Sequence, residues 1–204
     1  MLQDIDLKYV NGVLTSGFPL SAAGLVINGV DVNGIQAGDH GLLAWAYDPL
    51  LTTSTTTTVA NTNYLTAVYL RRPRTVSKVW WINNAVGATP TAGANNVGLY
   101  NASGMLLGAV NVDAKVTGSG PQSATLSSSV TAPAGLYWVA MQFQAATQPG
   151  VGRANASVLG SLTVNQTAAT LRFATNGSGT TLPASITPAS NSTTGSAALW
   201  AAIS

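Results

Sequence analysis

Short β-forming runs separated by turn signals are the feature that most constrains the fold of this chain. The turn signals recur roughly every ten residues, a spacing typical of all-β sandwiches, and no helical periodicity extends beyond a turn or two. N-Y-L-T-A-V-Y-L and T-V-S-K-V-W-W-I-N-N are two such runs, separated by R-R-P-R. Because the runs are uneven and the connections long, we expect a jelly-roll-like antiparallel β-sandwich.

One predicted strand is apolar on both sides. In T-A-P-A-G-L-Y-W-V-A-M-Q-F, Thr131 to Phe143, Pro133 and Gly135 mark a turn before a run of β-formers. Leu136, Trp138, Ala140 and Gln142 alternate with Tyr137, Val139, Met141 and Phe143, so the two sets face opposite sides of a strand. We expect one side to meet the opposite sheet and the other to meet the N-terminal arm or a second subunit.

The first forty residues differ from the rest. Asn-Gly pairs at 11–12, 28–29 and 33–34 alternate with short apolar runs, and Asn-Gly between such runs is a strong hairpin signal. This region is too small to bury a core of its own. The sequence therefore predicts an N-terminal β-hairpin arm for attachment over residues 1–40, followed by the sandwich over 41–204.

The composition is poor in charge. Hydrophobic residues make up 46% of the 204 residues and charged residues only 7%, whereas an ordinary soluble domain carries roughly a quarter charged residues. Ser, Thr and Asn must then hydrate the surface, which suits packing against other copies.

Cysteine is absent, which excludes disulfides and thiolate chemistry. No run approaches the ~20 apolar residues of a membrane span, and the acidic, alternating N-terminus does not resemble a signal peptide.

The basic residues cluster once, in R-R-P-R-T-V-S-K, directly before two tryptophans. A nucleic-acid footprint needs a broader basic stripe. We interpret the cluster as a solvated turn between two strands and expect no nucleic-acid partner.

Catalytic and metal-binding residue types are scarce. His40 is the single histidine, and the six acidic residues are all aspartates. His40 lies in Q-A-G-D-H-G, where a polar turn residue is expected. No calcium-loop spacing and no phosphate-binding glycine loop are present. We therefore expect no catalytic residue, no metal site and no cofactor.

The aromatic residues offer the best candidate for ligand contact. Trp80 and Trp81 are adjacent, so in a strand they point to opposite faces, one into the core and the other outward. Either tryptophan, together with Tyr69 and Arg71, is the candidate glycan or interface contact. Core packing is the alternative for each aromatic side chain.

Several phrases, in the same order, resemble a β-sandwich module found in virion proteins of tailed bacteriophages that infect actinobacteria, usually labelled minor tail or fibre-like proteins. The phrases are G-D-H-G-L-L-A-W-A-Y-D-P, N-Y-L-T-A-V-Y-L-R-R-P-R-T-V-S-K-V, V-G-L-Y-N-A-S-G-M-L-L-G, A-P-A-G-L-Y-W-V-A-M-Q-F and T-L-P-A-S-I-T-P-A-S. The resemblance covers residues 38–204.

This resemblance implies a structural protein, made in the host bacterial cytoplasm and displayed on the virion surface, as a homotrimer bound to other virion proteins. Our leading hypothesis is a tail-associated protein whose sandwich presents loops to a host cell-surface glycan and whose N-terminal arm, which the resemblance does not cover, docks to the particle. Three alternatives stay open: a capsid decoration or head-fibre protein, a glycan depolymerase, and a free carbohydrate-binding module.

Overall fold

The computed structural model describes residues 7–10, 13–16, 26–27, 30–31, 35–155, 164–194 and 197–204. The chain divides into two compact units, Met1–Gln36 and Ala37–Ser204. The sequence predicted a boundary after residue 40, so the two divisions differ only in where residues 37–40 belong. Those residues form a 3-10 turn, Ala37–His40, within the second unit.

The first unit contains two antiparallel strand pairs. β1 (Leu7–Val10) pairs with β2 (Val13–Ser16), and β3 (Val26–Ile27) pairs with β4 (Val30–Asp31). Short strands were predicted over I-D-L-K-Y-V, V-L-T-S-G-F and A-G-L-V-I-N-G-V. β1, β2 and β3 lie within these runs, and β4 begins at the last residue of the third run and extends one residue beyond it. The predicted Asn-Gly turns at 11–12, 28–29 and 33–34 lie outside the described residues, and the attachment role of this region stays a prediction.

The second unit is built from strands and short 3-10 turns. Besides Ala37–His40, the described 3-10 turns are Pro49–Leu51, Asp113–Lys115, Ala168–Thr170 and Pro188–Ser190. The strands are, in chain order, β5 (Ala44–Trp45), β6 (Ser54–Thr57), β7 (Thr62–Leu70), β8 (Arg74–Ala85), β9 (Ala88–Pro90), β10 (Asn96–Asn101), β11 (Leu106–Asn111), β12 (Gly120–Ala132), β13 (Gly135–Gln142), β14 (Ala145–Thr147), β15 (Gly150–Asn155), β16 (Phe173–Ser178), β17 (Ser192–Thr193), β18 (Ala197–Leu199) and β19 (Ala201–Ile203).

Two antiparallel sheets contain most of these strands. The first sheet has the order β11–β10–β13–β7–β16–β17. In the second sheet, β8 lies between β12 on one edge and β15 and β19 on the other, while β6, β18 and β5 complete the sheet. β9 and β14 form a separate short pair. The predicted all-β sandwich is confirmed.

The strand pairs are nested along the chain. β10 pairs with its neighbour β11, β8 pairs with β12 around them, and β7 pairs with β13 around both. Since β8 and β12 belong to the second sheet and the other four strands to the first, the chain winds across both sheets as a folded-back double strand. This winding is jelly-roll-like.

The main core lies between the two sheets. From β13, Val139 and Met141 project into it, and Phe143 follows them, with its ring centroid 6.4 Å from that of Trp81 on β8. All four side chains are fully buried. Burial of each aliphatic side chain contributes roughly 1.5–3 kcal/mol, so this layer holds the sheets together.

A second core covers the opposite side of β13. Trp138 and Ala140 pack there with Leu171, Leu182 and Ile186, which come from the segment that follows β15 in the same chain. The Trp138 indole nitrogen donates a hydrogen bond of 3.2 Å to the Leu171 carbonyl. The prediction that this side meets the arm or another subunit was therefore wrong. Alternation shows which faces are apolar, but not which segment covers them.

Candidate functional site

Of the predicted contact residues, the structure brings Tyr69 and Arg71 together. Tyr69 is 54% exposed near the end of β7, on the side of the first sheet that faces away from the second sheet, and the Arg71 guanidinium lies 5.3 Å from its ring centroid. This is a cation–π distance. Residues 71–73 of the basic cluster form the turn between β7 and β8, whereas residues 74–78 belong to β8. The interpretation of the cluster as a turn is therefore correct only for its first three residues.

The two tryptophans point to opposite faces of β8, as predicted. Trp81 is fully buried in the main core and donates a hydrogen bond to Asn83, so it cannot contact a ligand. Trp80 is partly exposed on the outer face of the second sheet, and its indole nitrogen donates a 2.8 Å hydrogen bond to the Ser204 hydroxyl. Tyr69 belongs to the first sheet, so Trp80 and Tyr69 do not share a surface.

His40 and the described aspartates of the second unit occupy turns. His40 is exposed and makes an edge contact with Trp45, their ring centroids 5.2 Å apart. Asp48 accepts a 2.8 Å hydrogen bond from the Leu50 amide and caps a 3-10 turn. Asp113 accepts hydrogen bonds from Gly93 and from two asparagine amides. His40, Asp48 and Asp113 thus each lie at a 3-10 turn, as is expected of polar turn residues.

A polar pocket of about 310 Å³ lies at one end of the outer face of the first sheet, the face that also carries the second core. Asn63 on β7 and Gln142 on β13 line it, and the two are sheet neighbours because Tyr64 pairs with Met141. The other lining residues come from β16 and the segment after it: Asn176, Gly177, Ser178, Gly179, Thr181, Pro183, Ser185, Ile186, Thr187 and Ser190.

A β-bulge interrupts the sheet beside Asn63. Thr175 pairs with Tyr64 and Ser178 pairs with Thr62, so two residues of β16, Asn176 and Gly177, stand opposite Asn63 alone. The Asn176 amide nitrogen donates to the Thr187 carbonyl at 3.0 Å and to the Asn191 amide oxygen at 2.6 Å. These hydrogen bonds hold the covering segment, which is the part of the chain after β15 that packs on this face of the sheet, at the edge of the pocket. Bulges of this kind are over-represented next to functional sites.

The two amides in the pocket retain unused hydrogen-bonding atoms. Asn63 is 2% exposed and Gln142 is 1% exposed. Among the described residues, neither amide atom of Asn63 has a hydrogen-bond partner, nor has the Gln142 amide oxygen. The Gln142 amide nitrogen donates to the Gly179 carbonyl. An unpaired buried polar atom costs roughly 1–3 kcal/mol, so three in one pocket are a substantial local cost.

Tyr100 belongs to the second core and is hydrogen-bonded to Pro183, one of the residues that line the pocket. Its hydroxyl donates a 2.7 Å hydrogen bond to the Pro183 carbonyl. Burial raises the pKa of Tyr100 well above its ordinary value. Asn63 and this hydroxyl do not reach hydrogen-bond geometry. Tyr100 is therefore a neutral phenol at physiological pH, and none of the lining residues carries a charge.

The sequence predicted the side of β13 on which Gln142 lies, but it did not predict that Gln142 lines a pocket. Alternation placed Gln142 on the same side of β13 as Trp138 and Ala140. Asn63 lies at the start of a run that was recognised as a strand, but its position beside Gln142 depends on the register between β7 and β13. Only that register and the bulge in β16 assemble the pocket.

No protein-family model matches the sequence, and a search of the curated proteins finds no match. In the described part of the chain, no helix has the length and apolar character needed to cross a membrane. The same residues contain no group of three His, Cys, Asp or Glu side chains placed to hold a metal ion.

Proposed function

We propose that this protein is a structural component of a tailed-bacteriophage virion, associated with the tail, whose sandwich binds the host surface and catalyses no reaction. The observation that carries the proposal is a sandwich whose surface is hydrated by Ser, Thr and Asn in place of charge, preceded by a separate small β unit. Low charge reduces repulsion between copies, which favours an assembly of many identical chains.

Exposed apolar side chains also support an interface role. Leu50 and Leu51 are adjacent in a 3-10 turn and are 76% and 57% exposed. Such side chains contribute to stability when another surface covers them. In the proposed assembly, sandwiches contact their copies as a homotrimer, and the first unit docks to other tail proteins. Repeated copies make weak contacts with a host glycan sufficient, because avidity multiplies them.

Immunogold labelling of particles tests this proposal. In virions propagated from the genome that encodes this chain, we expect an antibody against the sandwich to label the tail. Light scattering of the purified protein should give the mass of a trimer. Labelling of the head at a copy number near that of the major capsid protein would make the chain a capsid decoration protein. Complete absence from purified particles would overturn the proposal.

A further inference from the structure

The pocket on the outer face of the first sheet offers both donors and acceptors that the described protein leaves unused. The Asn63 amide nitrogen has two hydrogens to donate, and the oxygens of Asn63 and Gln142 can accept. A ligand that satisfies these atoms must donate and accept within a short distance. Adjacent hydroxyl groups on a ring do both, since each hydroxyl is one donor and two acceptors.

The absence of charge from the lining narrows the ligand class. The residues that line the pocket are Asn, Gln, Ser, Thr, Gly, Pro and Ile. A phosphate, a carboxylate or a metal ion would lose its hydration there without gaining an opposite charge, which is strongly unfavourable. Neutral ligands do not suffer this loss. The pocket therefore favours an uncharged, hydroxyl-rich molecule over an anion or a cation.

Apolar surface stands beside the amides. Ile186 is buried and belongs to the second core, and Pro183 lines the same side. A sugar ring has a C–H face as well as a hydroxyl edge, so it matches a pocket with aliphatic and amide parts. The volume of about 310 Å³ lies at the lower end of the roughly 300–1,000 Å³ of small-molecule sites, which suits one ring.

We propose that this pocket binds one neutral sugar ring, a hexose or an N-acetylhexosamine, through the amides of Asn63 and Gln142. The source of the sugar, a host cell-surface polysaccharide, rests on the proposed function, whereas the binding rests on the pocket alone. None of the lining residues is aromatic, so stacking adds nothing and each site binds weakly. Multiple copies on one particle compensate.

Nuclear magnetic resonance of the full-length protein tests the proposal without any substitution. Glucose, galactose and N-acetylglucosamine are titrated to roughly 50 mM, well above a millimolar dissociation constant. We expect the side-chain NH₂ signals of Asn63 and Gln142 to shift with saturation for at least one sugar. Glucuronic acid and glucose 6-phosphate serve as charged probes and should produce much smaller shifts.

Matched substitutions test whether Asn63 and Gln142 are the residues that bind the sugar. Asn63→Leu and Gln142→Met keep the approximate side-chain volume and remove the amides, and we expect each to weaken sugar binding about tenfold or more. Asn84→Leu is the control: Asn84 lies on β8 in the other sheet and donates to the Ser54 carbonyl. Sugar binding by Asn84→Leu should equal that of the unchanged protein. Melting temperatures verify that each variant is folded.

Several results would overturn this inference. Amide signals that respond to no probe would mean that the pocket holds water only. Equal shifts with charged probes, or unchanged affinity in both amide variants, would also reject it. Failure here leaves the virion proposal intact if labelling still finds the chain on particles. Conversely, sugar binding by a chain absent from virions would reject only the proposed function.

Discussion

Trp81 donates a hydrogen bond of 2.9 Å from its indole nitrogen to the amide oxygen of Asn83, two residues along β8, and both side chains are fully buried. The Asn83 amide nitrogen donates to the carbonyls of Lys115 and Gly118, at 3.0 Å each. The oxygen and both hydrogens of this buried amide are therefore used. Asn63 has nearly the same burial and, among the described residues, no partner for either amide atom.

This contrast predicts opposite effects of one substitution at two sites. Asn83→Leu leaves the Trp81 N–H without its acceptor and removes a donor from the Lys115 and Gly118 carbonyls, of which the Lys115 carbonyl keeps its bond from the Gly118 amide. We expect the substitution to lower the free energy of unfolding by about 3 kcal/mol. Asn63→Leu removes unpaired polar atoms and should leave that free energy unchanged or raise it. Urea denaturation of both variants measures the difference. Equal destabilisation at the two sites would mean that the Asn63 amide has a partner that stabilises the fold.

The second core predicts that single leucines of the covering segment matter to stability. Leu171 and Leu182 are buried against the outer face of the first sheet, so Leu171→Ala or Leu182→Ala should cost about 2–5 kcal/mol. Val59→Ala is the matched control, since Val59 is 62% exposed and its loss should change stability by less than about 0.5 kcal/mol. Denaturant unfolding compares the three. If both buried-leucine variants lost no more unfolding free energy than the control, Leu171 and Leu182 would not be the residues that cover β13.

The strands themselves were predictable, whereas the cover of β13 was not. Strand formation follows local alternation, so the runs at Thr62–Leu70 and Arg74–Ala85 and the opposite directions of Trp80 and Trp81 could be recognised from the residues. Leu171 begins a short alternating run with Phe173, and Leu182 is an isolated apolar residue in Ser/Thr/Gly-rich sequence; neither pattern shows that these side chains cover β13. Their contact with Trp138 is a long-range relationship that only the folded chain establishes.

Gly104, in the turn between β10 and β11, and Gly120, the first residue of β12, should differ in their tolerance of alanine. Gly104 has φ +86°, and an added Cβ would lie 2.2 Å from the Ile186 carbonyl oxygen. Gly120 has φ +75° and open space around it. Gly120→Ala should cost roughly 1–2 kcal/mol for the left-handed backbone alone, and Gly104→Ala more than that, because the covering segment must move. Thermal unfolding measures both, and equal costs would contradict the close approach of Gly104 to Ile186.

The pocket was less predictable than the fold because it depends on strand register and on a defect in the ladder. Asn176 and Gly177 lie within β16, yet they bulge opposite Asn63. From the sequence, an Asn at the end of an apolar strand, such as Asn63, is as consistent with a solvated strand end as with a buried pocket residue. Its burial follows from the segment that returns over the sheet at Gly179 to Ile186, which local patterns do not reveal.

Asp113 predicts an acid-sensitive contribution to stability. Its carboxylate accepts hydrogen bonds from the Gly93 amide at 2.8 Å, from the Asn95 side chain at 2.9 Å and from the Asn111 side chain at 3.1 Å. Burial acts to raise the pKa of Asp113, but these hydrogen bonds outweigh it and lower the pKa below its ordinary value. Because the folded-state pKa is depressed, the contribution is complete above about pH 5 and is lost as pH falls through that pKa.

The unfolding free energy of Asp113→Asn, compared with that of the unchanged protein between about pH 6 and pH 2.5, measures this contribution. We expect the variant to be less stable at the upper pH and the two proteins to converge in acid, because a protonated Asp113 loses the same acceptor. Asn111→Ala removes one of the donors and should show a smaller effect with the same direction. A difference that stays constant across the range would contradict the proposed linkage.

Removal of residues 1–36 tests whether the first unit is needed for incorporation into particles but not for folding or sugar binding. The second unit begins at Ala37, whose carbonyl accepts from the Leu42 amide at 2.9 Å, and the Leu43 amide donates to the Ile203 carbonyl at 2.8 Å. Because the described residues of both cores all lie within 37–204, we expect the truncated chain to give the same cooperative unfolding and sugar binding as the full chain, but not to enter particles. Immunoblots of purified virions measure incorporation. Normal incorporation of the folded truncation would show that the first unit is not the attachment arm.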